Sequence, residues 1–315
     1  MKLIIQIPCY NEAETLPVVL SQLPRKLEGF DAVEWLVIDD GSTDGTAGVA
    51  RENGVDYVVR FPQNRGLAAG FVAGLQGALR NGADVIVNID ADNQYEPADI
   101  GDLVAPILAG QADMVVGERP ISTIKHFSPV KKLLQKLGSR VVRRISNTDV
   151  PDAPSGFRAL SREAALQINV YSEYTYTLES IIQAGRRSIA ITSVPIRVNE
   201  DLRPSRLVRS IPAYIRRSLS TMVRIFVVYR PFAFFMTIGT IVFLAGFAIG
   251  LRFLFFFFQG EGDGHVQSLI LAAVLLGMGF QTMLVAFLSD LQAVNRKLLE
   301  DVQYRLRRQD AGKGQ

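Results

Sequence analysis

The stretch that decides the fold lies between residues 85 and 94 and reads Val85-Ile86-Val87-Asn88-Ile89-Asp90-Ala91-Asp92-Asn93-Gln94. Its apolar residues, interrupted by one asparagine, predict a buried strand over residues 85–90. Because side chains alternate along an extended chain, Asp90 and Asp92 should point to one side and Ala91 to the other. With Gln94 as a third oxygen donor, this pattern indicates a site for Mg²⁺ or Mn²⁺ that substrate phosphates complete. The alternative is a polar turn after a strand, and the neighbouring sequence is needed to distinguish it from a cation site.

Apolar runs alternate with helical patterns on both sides of this stretch. Strands are predicted at residues 3–8, 34–39, 56–60, 85–90 and 114–117, and helices near residues 15–27, 43–53, 66–82 and 97–109. Such alternation predicts an α/β domain with a largely parallel sheet. In sheets of this kind, ligands bind in the crevice beyond the carboxyl ends of the strands.

Polar clusters follow three of the predicted strands. They read Pro8-Cys9-Tyr10-Asn11-Glu12, Asp39-Asp40-Gly41-Ser42-Thr43-Asp44-Gly45-Thr46 and Asp90-Ala91-Asp92. In the first, Pro8 ends the strand, Tyr10 offers a ring face for a base, and Glu12 can accept hydrogen bonds from ribose hydroxyls or a base N–H. In the second, Asp39 and Asp40 can accept hydrogen bonds from the base edge or the ribose. Three such clusters favour a nucleotide-sugar site over an isolated polar turn.

Composition limits the classes of protein that fit. The chain has 315 residues, 48% of them hydrophobic, so a globular domain of about 200 residues leaves room for a membrane part. The net charge is only +3, yet basic residues crowd between Arg197 and Arg230 and again after Arg296. This distribution is typical of a membrane surface and not of nucleic-acid binding. Cys9 is the only cysteine, which excludes an internal disulfide and a cysteine zinc cluster and fits a reducing compartment.

The three clusters, in this order and spacing, resemble family 2 glycosyltransferases of the GT-A fold, whose sheet domain is Rossmann-like. The similarity extends over roughly residues 1–230. It is greatest to the polyprenyl-phosphate sugar transferases, typified by dolichol-phosphate mannose synthase. It implies transfer of a sugar from a GDP- or UDP-linked donor to dolichyl or undecaprenyl phosphate, with the sugar and the base left open. By the same resemblance, the nucleotide would be held by Pro8, Tyr10, Glu12, Asp39, Asp40 and Asp90, and the divalent cation by Asp90, Asp92 and Gln94.

Two later motifs resemble the acceptor side of that branch. Residues 116–119, Val-Gly-Glu-Arg, resemble its Gly-Ser-Arg turn, which assigns Arg119 to a phosphate. Residues 152–158, Asp-Ala-Pro-Ser-Gly-Phe-Arg, resemble its Asp-x-x-Ser-Gly-Phe signature, with Asp152 as the candidate base and Asp92 as the other catalytic carboxylate. A phosphate nucleophile is largely dianionic at neutral pH, since its second ionisation lies near about pH 6, so removing a proton offers little. Asp152 is therefore either a base or an orienting residue.

Basic residues supply further candidates for contacts with the acceptor. An amphipathic helix is predicted over residues 127–146, where Lys132 faces either the acceptor phosphate or solvent. From about residue 212, another amphipathic helix fits the membrane interface, where arginines reach the headgroups while the apolar side is immersed. In the basic loop before it, Arg203 and Arg206 are candidates for the lipid phosphate, and binding to anionic headgroups is the alternative.

Two apolar stretches, at residues 232–254 and 267–289, are each long enough for a bilayer core of about 30 Å. The short loop between them is acidic, whereas both outer flanks are rich in Arg and Lys. The positive-inside rule therefore predicts an integral membrane protein with both termini in the cytoplasm. The expected parts are a cytoplasmic GT-A catalytic domain (1–200), a basic loop with an interfacial helix (201–230), a two-helix transmembrane hairpin (231–290) and a basic cytoplasmic tail (291–315).

Other classes of protein fit less well. A nucleotidyltransferase is expected to carry a glycine-rich phosphate loop after its first strand, where this chain has Pro-Cys-Tyr-Asn-Glu. A processive polysaccharide synthase carries a Gln-x-x-Arg-Trp motif, but the only tryptophan here is Trp35. Another membrane family 2 enzyme with a lipid or polysaccharide acceptor stays as an alternative. The small residues Gly246 and Gly250 fit packing between the two spans as well as a homo-oligomer.

Overall fold

The computed structural model describes residues 1–120, 129–170, 176–199, 216, 220, 223–224, 226–260 and 262–312. Two compact units can be distinguished by their internal contacts. The first is Met1–Leu219 with Val302–Gln315, and the second is Ser220–Asp301.

The first unit begins with alternating strands and helices, as the sequence predicts. These elements are β1 (Lys2–Cys9), α1 (Leu16–Gln22), β2 (Ala32–Asp39), α2 (Thr46–Glu52), β3 (Tyr57–Arg60), α3 (Leu67–Arg80), β4 (Val85–Asn88), a 3₁₀ turn (Pro97–Asp99), α4 (Ile100–Leu108) and β5 (Met114–Glu118). The second half adds α5 (Pro129–Ser146), β6 (Arg158–Ser161), α6 (Arg162–Gln167), α7 (Thr177–Arg186) and β7 (Ile191–Pro195).

The strands form one sheet in the order β3-β2-β1-β4-β6-β5-β7. All neighbouring strands are parallel except β6, which runs antiparallel to both β4 and β5. The predicted α/β fold with a mostly parallel sheet is thus confirmed, but the sequence patterns missed β6 and β7. Because β2 and β4 lie on opposite sides of β1, the strand order reverses there, and the loops after β1, β2 and β4 meet at that switch point.

Several element ends differ from the sequence prediction for local reasons. Helix α1 ends at Gln22 because Leu23 precedes Pro24 and adopts an extended conformation, as residues before proline usually do. Helix α2 starts only at Thr46 because Gly45 before it has a left-handed φ of 85°. Pro8 does not end β1, which continues to Cys9.

Helix α3 packs closely on the sheet because it carries glycines on its inner face. A Cβ atom on Gly74 would lie 2.9 Å from Ile38 Cδ1 and 2.5 Å from Gln6 Oε1, both in the strands below. The helix could not approach β1 and β2 this closely with a larger residue at that position. The sheet itself is buried, and residues 3–9 of β1 are all buried.

The second unit contains two long apolar helices, α8 (Pro231–Phe258, 28 residues) and α9 (Val266–Gly312, 47 residues). Both are long and apolar enough to cross a membrane, by length and composition. A Cβ on Gly246 would lie 2.8 Å from the backbone nitrogen of Leu276, and one on Gly250 would lie 3.8 Å from Ala272 Cβ. Both glycines therefore face the partner helix of the hairpin, which supports packing between the two spans as the reason for their spacing.

Candidate active site

Hydrogen bonds join the loop after β1 to the loop after β2 at the carboxyl end of the sheet. Three of them run from a backbone N–H in one loop to a side-chain oxygen in the other. Asn11 N donates to Ser42 Oγ (2.9 Å), and Thr43 N donates to Asn11 Oδ1 (2.9 Å). Glu12 N donates to Thr46 Oγ1 (3.0 Å). Asn11 has a φ of 55°, in the left-handed region that asparagine tolerates better than most residues. The loops after β1 and β2 are thereby fixed relative to each other.

Within these joined loops, the predicted nucleotide residues differ in exposure. The ring of Tyr10 is 43% exposed, as a stacking surface for a base has to be. Glu12 is buried, and its Oε2 accepts a hydrogen bond from Thr15 Oγ1 (2.7 Å). Pro8 is buried within β1 and shares its register with Ile38.

The neighbouring carboxylates Asp39 and Asp40 have different surroundings. Asp39 is buried, its Oδ1 accepts a hydrogen bond from Ser42 N (2.9 Å), and its Oδ2 lies 3.2 Å from Arg60 Nε. The carboxylate of Asp40 instead accepts hydrogen bonds from Arg65 N (2.7 Å) and Gly66 N (2.9 Å). Burial raises the pKa of Asp40 above its usual value, although these two backbone donors act against the rise. Asp40 therefore has a structural role at the start of α3, and its role toward a nucleotide stays a prediction.

The carboxylates Asp90 and Asp92 lie just beyond β4. The strand ends at Asn88, two residues earlier than predicted, because the chain enters a turn in which Asn93 has a φ of 61°. In this turn Asp92 Oδ1 accepts a hydrogen bond from Gln94 N (3.1 Å). Asp90, Asp92 and Gln94 are all half-buried. The three predicted cation ligands are thus brought into one compact turn.

Asp90 is electrostatically the most perturbed of these groups. Burial, together with the charge of Asp92, raises the pKa of Asp90 to about 7. No hydrogen-bond donor from the described residues contacts its carboxylate. The charges of Arg119 and Arg158 oppose this rise in pKa. A carboxylate that is desolvated, lacks donors and faces a like charge is further stabilised by a cation, and its hard oxygens suit Mg²⁺ or Mn²⁺. The residues present therefore fit a divalent cation.

The protein supplies only part of a coordination shell there. Across the described parts of the chain, no group of three or more His, Cys, Asp or Glu side chains is placed to hold a metal ion. Two carboxylates with an amide oxygen nearby are the usual protein share for a magnesium ion that also binds substrate phosphates.

The predicted acceptor residues Arg119 and Asp152 contact each other. Arg119 Nε donates to Asp152 Oδ2 (2.7 Å), Arg119 Nη2 donates to Asp152 Oδ1 (3.0 Å), and both side chains are buried. The backbone N of Arg119 also donates to Asp152 Oδ2 (3.2 Å). Both oxygens of the candidate base are therefore already engaged by a guanidinium, a contact that the sequence motifs did not reveal.

Three further acceptor candidates are Lys132, Arg203 and Arg206. The side chain of Lys132, and the whole of Arg203 and Arg206, lie outside the described residues. The chain that leads to Arg203 is anchored to the cation turn, because Asn199 N donates to Gln94 O (2.9 Å). Just before it, Arg197 pairs with the buried Asp99 through Nη2 and Oδ1 at 2.6 Å.

Comparison with known proteins adds a family and a fold. Residues 4–168 match the family described as "Glycosyl transferase family 2". A polyprenol monophosphomannose synthase of Mycolicibacterium smegmatis is 29% identical over 208 residues, which cover 62% of this chain and 77% of the relative. A UDP-N-acetylglucosamine–dolichyl-phosphate N-acetylglucosaminyltransferase of Methanococcus voltae is 31% identical over 216 residues, which cover 61% of this chain and 83% of the relative.

A solved structure shares the fold. It is glucosyl-3-phosphoglycerate synthase from Mycobacterium tuberculosis in complex with Mn²⁺, UDP and glucosyl-3-phosphoglycerate. It matches with a TM-score of 0.55 at 22% identity, over 70% of this chain and 79% of that chain.

Proposed function

Because the chain belongs to glycosyl transferase family 2 and is a glycosyltransferase, we propose that it transfers a sugar from a nucleotide-sugar donor to a polyprenyl phosphate. The cation turn carries this proposal, since Asp90 is held without a hydrogen-bond donor from the described residues and with a raised pKa beside Asp92. That arrangement suits a metal-bound diphosphate. The relatives named for polyprenol and dolichyl phosphate support the acceptor.

The donor side of the site follows from the joined loops. Tyr10 would stack on the base, and Asp39 Oδ2, beside Arg60, would accept a base N–H. Glu12 would accept hydrogen bonds from the ribose. A GDP- and a UDP-linked donor both fit these groups, and the two relatives carry different sugars in their names.

Asp90, Asp92 and Gln94 would hold Mg²⁺ or Mn²⁺ at the diphosphate. A divalent cation in that position neutralises the charge that develops on the departing nucleoside diphosphate. The solved structure with Mn²⁺ and UDP supports a metal in this fold. The chain itself supplies a turn, held by the hydrogen bond from Gln94 N to Asp92 Oδ1, that would present both carboxylates to the cation before the donor binds.

The transfer itself needs little acid–base chemistry. An oxygen of the polyprenyl phosphate forms a bond to the anomeric carbon, the bond from that carbon to the diphosphate oxygen breaks, and the nucleoside diphosphate leaves. Since the phosphate is largely dianionic at neutral pH, no proton has to be removed from it. This agrees with an Asp152 carboxylate that is engaged by Arg119, so we assign Asp152 to holding the arginine toward a phosphate.

We further propose that the reaction takes place at the cytoplasmic membrane face. Two apolar helices with an acidic connection and basic flanks support a hairpin with both termini inside the cell. In this arrangement residues 1–200 form the catalytic domain, residues 201–230 contact the interface, residues 231–290 cross the bilayer and residues 291–315 form the tail. The bilayer would hold the acceptor's tail while Arg203, Arg206 and Lys132 approach its phosphate.

The test uses purified full-length protein with a panel of GDP- and UDP-linked sugars. Each donor is combined with a polyprenyl phosphate or with the matching polyprenol, and release of nucleoside diphosphate and formation of the lipid-linked sugar are both measured. We expect transfer to the phosphate in the presence of Mg²⁺ or Mn²⁺ and none to the alcohol. Equal transfer to the alcohol would contradict the proposed acceptor, and full activity in excess EDTA would contradict the proposed metal.

A further inference from the structure

Gly156 lies against the proposed cation ligand Asp90. A Cβ atom on Gly156 would be 2.8 Å from Asp90 Oδ2 and 3.0 Å from the hydroxyl of Tyr176. Distances under about 3.0 Å are not compatible with a real side chain, so only glycine permits this approach. The backbone of residue 156 therefore forms one wall of the space in which the Asp90 carboxylate sits.

Three buried side chains hold the two peptide groups of Gly156. Gly156 N donates to the hydroxyl of Tyr95 (2.9 Å). Gly156 O accepts a hydrogen bond from Asn88 Nδ2 (2.9 Å) and a longer one from the hydroxyl of Tyr176 (3.4 Å). Asn88 Nδ2 also donates to the hydroxyl of Tyr176 (2.9 Å). Both polar groups of the glycine are thus satisfied by side chains from other parts of the sheet domain.

These side chains are themselves fixed by packing. Tyr176 stacks on Phe71 with ring centroids 3.9 Å apart, and Tyr95 stacks on Phe157 at 5.2 Å. Gln6 Nε2 donates to Asn88 Oδ1 (2.8 Å), which leaves the Asn88 amide nitrogen to donate to Gly156. Burial raises the pKa of Tyr95 to about 12 and that of Tyr176 well above its usual value, so both hydroxyls stay neutral.

We infer that Tyr95, Tyr176 and Asn88 are positioning residues that clamp the Gly156 peptide beside Asp90 and so fix where that carboxylate can bind a cation. The inference rests on the proposed function, since it takes Asp90 as a cation ligand. None of the three side chains has to touch the substrate or the metal. Each hydroxyl is directed to the glycine backbone, which leaves the Asp90 oxygens open to a ligand.

The clamp also connects two sides of the site. Gly156 belongs to the segment 152–157 that resembles the acceptor signature, and Asp90 belongs to the donor side. Arg158 Nη2 donates to Ser155 O, so a fourth buried side chain holds the same segment. Movement of this loop would displace a wall of the Asp90 site, and hydrogen bonds from rigid core residues oppose such movement.

The test removes single hydroxyl groups from full-length protein. We expect Tyr95→Phe and Tyr176→Phe to raise the Mn²⁺ concentration needed for half-maximal transfer about 10-fold, as loss of a supporting contact behind a metal ligand usually does. Turnover at saturating Mn²⁺ should change far less. The thermal shift that Mn²⁺ with a nucleoside diphosphate produces should shrink in parallel, which reports metal binding without activity.

Two control variants separate positioning from general stability. Tyr57→Phe removes the hydroxyl of a half-buried tyrosine in β3, and Val33→Ala truncates a buried side chain at the start of β2, at the end of the strand opposite the site. Both should keep the wild-type Mn²⁺ requirement, even where Val33→Ala lowers the melting temperature. A wild-type Mn²⁺ requirement in Tyr95→Phe and Tyr176→Phe would overturn the clamp alone. A wild-type enzyme that needs no metal would overturn the proposed function and, with it, this inference.

A glycine pair offers an independent comparison. Gly156→Ala places a methyl group against Asp90 Oδ2 and should raise the Mn²⁺ requirement more than the tyrosine variants. Gly48→Ala is its matched control, because a Cβ at Gly48 in α2 meets nothing within 4 Å. Normal Mn²⁺ dependence in Gly156→Ala would contradict the proposed wall of the Asp90 site.

Discussion

Arg119 and Asp152 form a buried bidentate ion pair between residues 33 positions apart, with Nε to Oδ2 at 2.7 Å and Nη2 to Oδ1 at 3.0 Å. A carboxylate in this geometry accepts hydrogen bonds from a cation that keeps its charge at any pH relevant to the cell. It is therefore a poor general base and a good holder for the arginine. Measurements of stability can therefore distinguish a structural role of Asp152 from a role as general base.

We expect Asp152→Asn to destabilise the protein by about 3–5 kcal/mol, because it leaves the Arg119 guanidinium buried without a counter-charge. The double variant Arg119→Met/Asp152→Leu should recover most of the lost stability, since an apolar pair needs no such compensation. It should still fail to transfer sugar. Chemical unfolding and turnover are measured on the same preparations. An Asp152→Asn protein of normal stability with lost turnover would instead favour a role as base.

The charge of Asp92 should matter more than its shape. Asp92→Asn keeps the size of the side chain and removes one negative charge from the cation turn, so we expect turnover to fall at least about 100-fold. The measurement is nucleoside diphosphate release under saturating donor and acceptor. Asp102→Asn serves as a comparison, because Asp102 is an exposed carboxylate in α4, outside the cation turn and the joined loops. Near-normal turnover in Asp92→Asn would argue against the assignment.

Asp90 should make the metal-free protein less stable as the pH rises. Its pKa of about 7 in the folded protein lies above its usual value of 3.8, so between about pH 4 and 7 the folded state keeps a proton that the unfolded chain has lost. Stability therefore falls through this window and is lowest above it. In EDTA, Asp90→Asn should exceed the wild type by about 2–4 kcal/mol at pH 8 and by little at pH 4.

Thermal unfolding at the two pH values checks the Asp90 prediction. Addition of Mn²⁺ at pH 8 should stabilise the wild type and leave Asp90→Asn unchanged, since the cation replaces the missing proton. If the stabilities of the two proteins changed with pH in parallel, the pKa of Asp90 would not be raised in the folded state.

Tyr10 should contribute more to donor binding than to stability. The residue is 43% exposed, so Tyr10→Ala removes less packing than a substitution in the core would, and it removes a stacking surface worth about 1 kcal/mol for a base. We expect the KM for the donor to rise about fivefold to tenfold with at most a small drop in melting temperature. Tyr10→Phe, which keeps the ring, is the control and should behave as the wild type does. An unchanged KM in Tyr10→Ala would show that the base binds elsewhere.

The hairpin orientation can be tested with single cysteines. In a Cys9→Ala background, a cysteine at Gly262 should react with a membrane-impermeant thiol reagent on intact cells, while one at Gln309, exposed near the end of α9, should not. Permeabilised cells, where both should react, provide the control. The reverse labelling pattern would exclude a cytoplasmic donor site.

Local patterns identified much of the sheet domain. Continuous apolar runs predicted β1, β2, β4 and β5 to within two residues, because strands buried on both faces need such runs. Strand β6, with the sequence Arg-Ala-Leu-Ser, has no such pattern. Its Arg158 is buried because backbone carbonyls and a hydroxyl accept its hydrogen bonds, including Ser180 Oγ at 2.5 Å. Strand propensities take no account of such hydrogen bonds to a buried arginine, so they do not predict this strand.

The candidate site was also predictable from sequence only in part. The carboxylates near β4 could be found from sequence because their spacing is local. The contact between Arg119 and Asp152, the anchoring of Asp40 and the clamp on Gly156 depend on residues far apart in sequence, and no local pattern reports them. One signal was present: Asn88 is the single polar residue in a buried strand, and a buried amide needs partners. That residue was a reason to expect a hydrogen-bond network behind Asp90.

The hydrogen bonds between the loops after β1 and β2 have a thermodynamic consequence for donor binding. Asn11, Ser42, Thr43 and Thr46 lose their conformational freedom when the protein folds and not when the nucleotide arrives. Because the binding site is already ordered, binding of the nucleotide is not opposed by a loss of conformational entropy in these loops. Calorimetry of nucleoside diphosphate binding should therefore show only a small unfavourable entropy and a heat-capacity change limited to the surface that the nucleotide itself covers.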